Sequence, residues 1–330
     1  MVLPPVIKNQ CGFKNHIMII QKLKGLLAAP FTPMKKDGSL NLSLIPAYYS
    51  MLVANGVTGA FICGSTGEGV SLTTAEKMAV AEAWASCARS DPDFKVMTLV
   101  GGTSLADCKD LAKHAQRTGL YAVSFTAPSY FKPANVLQLA ECCKAVAGAV
   151  PDMPFYYYHI PVLTGVHFLM IDLLQAVEAM VPNFAGIKYT HEDFMDSLSC
   201  MHYKNGWYDI LWGRDENMLA ALSLGAKGAV GSTFNYAAPL YYDLIAAFDS
   251  GDLAKARKLQ QQSIDMIRLL GKWGGIATGK AYMKVLGMDC GEFRLPVKNM
   301  SEPEFHQFSA DVKALNFSGF SSRIPSFTHV

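Results

Sequence analysis

The sequence is poor in charge and has no long apolar run. Of its 330 residues 17% are charged, and 29 basic against 27 acidic side chains leave a formal net charge of +2. A balance this close to neutral gives no electrostatic footprint for nucleic acid. No stretch approaches the roughly 18 consecutive apolar residues of a membrane-spanning helix, so no membrane partner is expected. The eight cysteines form no CxxC pair, and the eight histidines form neither HxH nor HExxH. A disulfide framework and a histidine-based metal site are therefore not expected, and reduced thiols in a cytoplasmic setting are. Nucleotide signatures are missing too. No GxGxxG follows the first strand candidate, and Gly274–Lys280 has GxxxxGK spacing but is followed by Ala281 where a Walker loop needs a hydroxyl.

What is present is a large apolar fraction, 51% of the chain, enough to bury one big α/β domain or two ordinary ones. Residues 1–36 carry six lysines and no acid. They lack the apolar core of a signal peptide, so residues 1–22 are expected to be a loosely ordered extension rather than a targeting segment. From residue 23 onward short β-like runs alternate with helical patterns: 26–31, 60–63, 96–100, 122–126, 154–158, 185–188, 209–212 and 228–230 each lead into a helix. The runs are apolar throughout rather than alternating, as in a parallel sheet covered on both faces. Gly56, Gly119, Gly186 and Gly225 precede strands and suit left-handed helix ends. Eight βα units predict a (β/α)8 TIM barrel over residues 23–251. Helices without strands follow over 252–315, packing on the barrel or on a partner, and residues 316–330 read as a ragged tail.

Chemistry collects at the predicted strand ends, which face the mouth of such a barrel. Lys188 closes the apolar run Phe184-Ala-Gly-Ile-Lys188. Burial there would lower its pKa and free the neutral amine that attacks a carbonyl, although an edge lysine reaching for water gives the same sequence. Tyr156-Tyr-Tyr158 ends the fifth strand; neighbours alternate across a strand, so the three cannot all point inward. One phenol at that end could shuttle a proton, or all three could be aromatic packing. Gly64-Ser65-Thr66-Gly-Glu68-Gly offers hydroxyls and backbone N–H groups suited to a carboxylate or phosphate. Gly213-Arg-Asp215-Glu216 and Gly231-Ser232-Thr233 could bind a polyol, or Asp215 and Ser232 could simply cap helices.

As a set and in this order, these motifs resemble the N-acetylneuraminate lyase branch of the pyruvate-dependent class I aldolases, over residues 23–315. The run from Phe155 to Pro161 continuing to Val166 looks like the vertebrate-type members. The resemblance implies a Schiff base on Lys188, proton transfer by Tyr158, and cleavage of sialic acid to pyruvate and N-acetylmannosamine. It implies that Ser65 and Thr66 hold the substrate carboxylate. Thr190, Gly213, Asp215, Glu216, Gly231 and Ser232 would line the pocket for the sugar-derived chain. It further implies that Tyr130 acts across a subunit interface, that the assembly is a homotetramer, and that no metal or organic cofactor is used. Dihydrodipicolinate synthases of the same superfamily carry an arginine where this chain has Leu163, which favours a neutral polyhydroxy partner over an amino-acid semialdehyde. Two alternatives stand beside this reading: an aldolase for another 2-keto sugar acid, such as 2-keto-3-deoxygluconate, and a barrel that binds sialic acid without turning it over.

Overall fold

Eight short strands close on themselves in sequence order, every neighbouring pair parallel, and the first pairs with the last. The computed structural model describes residues 20–325; the extension expected over 1–22 falls almost wholly outside them. The strands are β1 (Gly25–Ala28), β2 (Gly59–Ile62), β3 (Lys95–Leu99), β4 (Ala122–Phe125), β5 (Phe155–His159), β6 (Phe184–Tyr189), β7 (Asp209–Trp212) and β8 (Gly228–Gly231). Helices α1 (Ile45–Ala54), α2 (Thr74–Ala88), α3 (Leu105–Thr118) and α4 (Val136–Ala147) follow the first four. Then come α5 (Pro161–Thr164), α6 (Met170–Val177), α7 (Phe194–Gly206), α8 (Met218–Leu224) and α9 (Phe234–Asp249). The chain ends with α10 (Leu253–Lys272), α11 (Ala277–Leu286) and α12 (Glu302–Ala314). No described helix is long and apolar enough to cross a membrane.

Alternation along the strands sorts two cores. Leu27, Phe61, Met97, Tyr156, Tyr158 and Leu211 fill the barrel interior, while Leu26, Ile62, Val96 and Tyr157 face the helices. The Tyr156–Tyr158 run is thereby resolved: two rings inside and one outside. Helix starts follow local chemistry. Thr73 with Glu76 and Ser301 with Glu304 form capping boxes, and Ser104, Asn135, Asp193 and Asp252 each accept an N–H of the first turn.

Three expectations change. Gly56, Gly119 and Gly225 do adopt positive φ, but Gly186 lies inside β6. A Cβ on Gly186 would sit 1.9 Å from the Asp209 carbonyl oxygen, so the glycine is there for close approach of β6 to β7. After the eighth strand the sequence pattern predicts a helix over Pro239–Asp249, with the proline in its first turn; α9 instead begins at Phe234, and its first turn is broken at Ala237 (φ −141°). Finally, the segment from 316 to 325 is not ragged. Phe317 and Phe320 are buried, and Phe317 packs 5.1 Å from the Tyr282 ring. The Ser322 hydroxyl accepts from Ala238 N at 3.2 Å, beside the break in α9, and Ser322 N donates to Tyr236 O at 2.8 Å. Two phenylalanines and a backbone gap that needs a partner outweigh low charge and serine content.

Candidate active site

Lys188 and Tyr158 sit side by side because β5 and β6 pair them directly, Tyr158 opposite Lys188. Both side chains point into the barrel near the carboxyl ends of the strands. The Lys188 Nζ lies 4.1 Å from the ring centroids of both Tyr158 and Phe61, and those rings meet edge to face at 5.4 Å. Lys188 is 4% exposed. Burial among rings penalises the ammonium and brings its pKa down to about 7, with the nearby Asp215 carboxylate resisting the fall. An appreciable fraction of the amine is thus neutral and nucleophilic near neutral pH.

Above the pair opens a cavity of about 280 Å³. Ser65 and Thr66 reach it from the turn after β2, Thr190 from the end of β6, and Gly213, Asp215 and Glu216 from the segment after β7. Ser232 closes it from the end of β8. Burial pushes the Tyr158 phenol up to about 12, while the facing hydroxyls of Ser65 and Thr190 hold it down somewhat. The Thr190 hydroxyl is buried and makes no formed hydrogen bond, which leaves it available to a ligand.

Asp215 does not cap its own turn. Its carboxylate accepts from Thr233 N at 2.9 Å and lies 2.6 Å from the Thr233 hydroxyl, which in turn is 2.7 Å from Tyr241 Oη. Burial raises its pKa to about 6; the Thr233 bonds and Lys188 oppose the rise. Gly231 contributes an absence: a Cβ there would fall 2.1 Å from Asp215 Oδ1. Gly213 does the same for Thr190, whose hydroxyl would lie 1.9 Å from an added Cβ. Ser232 offers its carbonyl to Asn235 Nδ2 at 2.7 Å and caps no helix with its side chain. At the rim Arg214 bridges Glu216 at 2.7 Å and Glu192 at 3.0 Å, which fixes the Glu216 carboxylate.

Tyr130 stands apart. Tyr130 is 80% exposed, its ring meets that of Phe131 edge to face at 5.1 Å, and it does not line this cavity among the described residues. Sequence reasoning missed Thr233 as the grip on Asp215, and it missed Ile267, Leu270 and Ile276, which give the cavity an apolar side. These three come from α10 and the turn after it, and nothing local to them signals that they fold back over the barrel mouth. Among the described residues no group of three or more His, Cys, Asp or Glu is placed to hold a metal.

The coupling between Lys188 and Asp215 is testable. Only the neutral amine reacts, so formation of a borohydride-trapped pyruvate adduct should rise with pH through about 7. Asp215→Asn removes the charge that favours the ammonium, and the acid limb of that profile should move to lower pH. A limb that stays put would show that Asp215 acts on substrate alone.

Residues 22–315 match the dihydrodipicolinate synthetase family. N-acetylneuraminate lyase A of Xenopus laevis is 41% identical over 290 residues, 87% of this chain and 94% of that protein. The N-acetylneuraminate lyase of Gallus gallus is 40% identical, over 89% of this chain and 95% of its own length. The solved structure of the Proteus mirabilis N-acetylneuraminate lyase superposes with a TM-score of 0.87 at 39% identity, over 90% of this chain and all of that one.

Proposed function

The chain belongs to the dihydrodipicolinate synthetase family, and from that premise we infer that it is a Schiff-base aldolase that cleaves N-acetylneuraminate reversibly to pyruvate and N-acetylmannosamine. The observation that carries the chemistry is a buried amine, with its pKa brought down to about 7, whose Nζ lies 4.1 Å from the ring of a protonated phenol.

The residue roles follow from that pairing. The Ser65 and Thr66 hydroxyls receive the carboxylate of the open-chain keto acid and set its C2 ketone over Lys188. The neutral amine adds to C2; Tyr158 gives its proton to the departing hydroxyl, water leaves, and an iminium stands beside a phenolate. That phenolate takes the proton of the C4 hydroxyl. The C3–C4 bonding electrons then run into the iminium, the C4 carbon leaves as an aldehyde, and an enamine remains. Protonation at C3 and hydrolysis release pyruvate and restore the amine. Thr190, Asp215, Glu216 and Ser232, with the backbone at Gly213, hold the hydroxyl-rich remainder, while Gly231, which does not itself line the cavity, leaves room for the Asp215 carboxylate. Leu163 at the cavity edge is uncharged, so a second substrate carboxylate would find no cation there.

A homotetramer, with Tyr130 acting across an interface, and a cytoplasmic setting belong to the same reading. Exposed Tyr130 and Phe131 on the loop after β4, with exposed Val162 and Leu163 on α5, support the first. Seven free thiols among the described residues support the second.

The test is pyruvate release from a panel of 2-keto acids. N-acetylneuraminate should be cleaved with the highest kcat/KM. A clear preference for a six-carbon acid such as 2-keto-3-deoxygluconate would replace the substrate while keeping the chemistry, and binding without turnover would remove the enzyme.

A further inference from the structure

Two features of the sequence are not used by this chemistry: Glu68, which ends the Gly-Ser-Thr turn, and Lys280, the lysine of the false Walker motif. The structure brings them together across more than two hundred residues. Lys280 Nζ donates to Glu68 Oε1 at 2.7 Å, with each side chain 3% exposed. Glu68 Oε2 accepts the backbone N–H of Arg294 at 2.8 Å, and Lys280 also donates to Glu292 O at 2.9 Å. Both charges are therefore paired and hydrogen-bonded, the condition under which a buried pair is tolerated.

The surroundings are shaped for this contact. Gly279 lets α11 close on Phe31, where a Cβ would lie 2.3 Å from the ring, and Gly291 lets the chain touch the Met34 carbonyl, where a Cβ would lie 2.2 Å away. The same 31–34 segment supplies Thr32, whose hydroxyl donates to Gly67 O at 2.6 Å. Glu68 itself has φ +56°, a left-handed conformation that disfavours side chains. Its N–H donates to Ser65 O at 3.2 Å, and Gly69 N donates to Gly64 O at 3.0 Å. Arg294 completes the attachment, with bonds of 2.9 and 2.5 Å to the Glu76 carboxylate and one of 3.0 Å to Ser71 O. One end of the Ser65–Thr66 turn is thus fixed by side chains and backbone that come from beyond the barrel.

We propose that Glu68 and Lys280 are positioning residues: through their buried pair the C-terminal helices set the orientation of the Ser65–Thr66 turn and so the affinity for the 2-keto acid carboxylate. This rests on the assignment of Ser65 and Thr66 to the carboxylate. Neither residue touches substrate; each acts by holding a strained turn in the one conformation that presents its hydroxyls to the cavity.

The experiment measures aldol condensation, with pyruvate and N-acetylmannosamine varied separately. The variant is the double Glu68→Gln, Lys280→Met, which removes both charges without stranding either one. Pyruvate KM should rise about tenfold, the size of one charge-assisted contact set out of place, while KM for N-acetylmannosamine and kcat at saturating pyruvate stay within twofold. The single Glu68→Gln and Lys280→Met variants should show the same selective rise with lower thermal stability, because each leaves a charge or a buried amine without its partner. A folded double variant with unchanged pyruvate KM overturns the proposal, as does an equal rise in both KM values, which would mean general loosening. Thr66→Val separates the two layers of inference. If it leaves pyruvate KM unchanged, the carboxylate assignment fails; if it raises pyruvate KM and the double variant does not, only the role of the pair fails.

Discussion

Replacing Lys188 by methionine is expected to abolish turnover and, at neutral pH, to make the protein more stable. The first half follows from covalent catalysis: without the amine no iminium forms, and the C3–C4 bond has no electron sink, so pyruvate release should fall by at least about 10⁴-fold. The second half follows from linkage. In the unfolded chain the amine titrates near its ordinary 10.5, whereas in the folded protein burial holds it at about 7. Below pH 7 both states are protonated and the folded state bears the full cost of a buried ammonium. Between about 7 and 10.5 only the unfolded state holds the proton, and the cost fades as pH rises. At pH 7 that difference is on the order of 4 kcal/mol. Methionine has similar length and no charge, and it keeps contact with the Phe61 and Tyr158 rings. For a chain of this size the gain corresponds to roughly 5 °C in Tm. Calorimetry at pH 7 and again near pH 10 should show a stabilisation that shrinks as pH rises. A less stable Lys188→Met protein, or one that still releases pyruvate, would contradict the assignment.

The same economy extends around the site. Asp215 is also buried at a cost, with its pKa raised to about 6, and it is held there by Thr233 and by the missing side chain of Gly231. Two groups are kept in protonation equilibria that water would not choose, and the surrounding packing makes up the difference, which is the usual relation between a site and its scaffold.

How much of this was legible in the sequence depends on the range of the interaction. Lys188 and Tyr158 were readable because an ammonium at the end of an apolar run and a phenol at strand periodicity are local patterns, and a parallel barrel converts strand ends into one mouth. The eight βα units were readable for the same reason. Gly186 was misread because its constraint is the Asp209 carbonyl on the next strand, twenty-three positions away in sequence. The grip of Thr233 on Asp215, the place of Ile276 in the cavity wall and the Glu68–Lys280 pair were not readable: the first joins the ends of two strands, and the others matter only after α10 and α11 return to the barrel. Lys280 was set aside as a nucleotide motif for sound local reasons, and those reasons could not reveal its partner. The segment after residue 315 shows the reverse error. Its composition looks unconstrained, yet Phe317 and Ser322 each find a particular vacancy against Tyr282 and Ala238.

Tyr158→Phe should divide the reaction at one step. The ring itself remains, so the apolar wall that holds Lys188 near a pKa of 7 is largely kept, and the amine still adds to a ketone. What is lost is the proton that the phenol gives during dehydration and takes back from the C4 hydroxyl. The phenol titrates up near 12, so it is protonated at rest and becomes a base only after donating its proton beside the newly formed iminium. A relay of this kind contributes about 10²- to 10⁴-fold. Cleavage of N-acetylneuraminate should fall by that amount, while pyruvate with borohydride still labels Lys188, more slowly but to full occupancy. Tyr157→Phe is the internal control, since its ring faces the helices from the outer side of β5 and its turnover should stay within a few fold of the parent. If Tyr158→Phe loses labelling and cleavage together, the phenol is needed to seat the substrate or the amine rather than to move the C4 proton. If neither changes, the proton leaves by another route, and the buried Thr190 hydroxyl, which makes no hydrogen bond of its own, becomes the next group to replace.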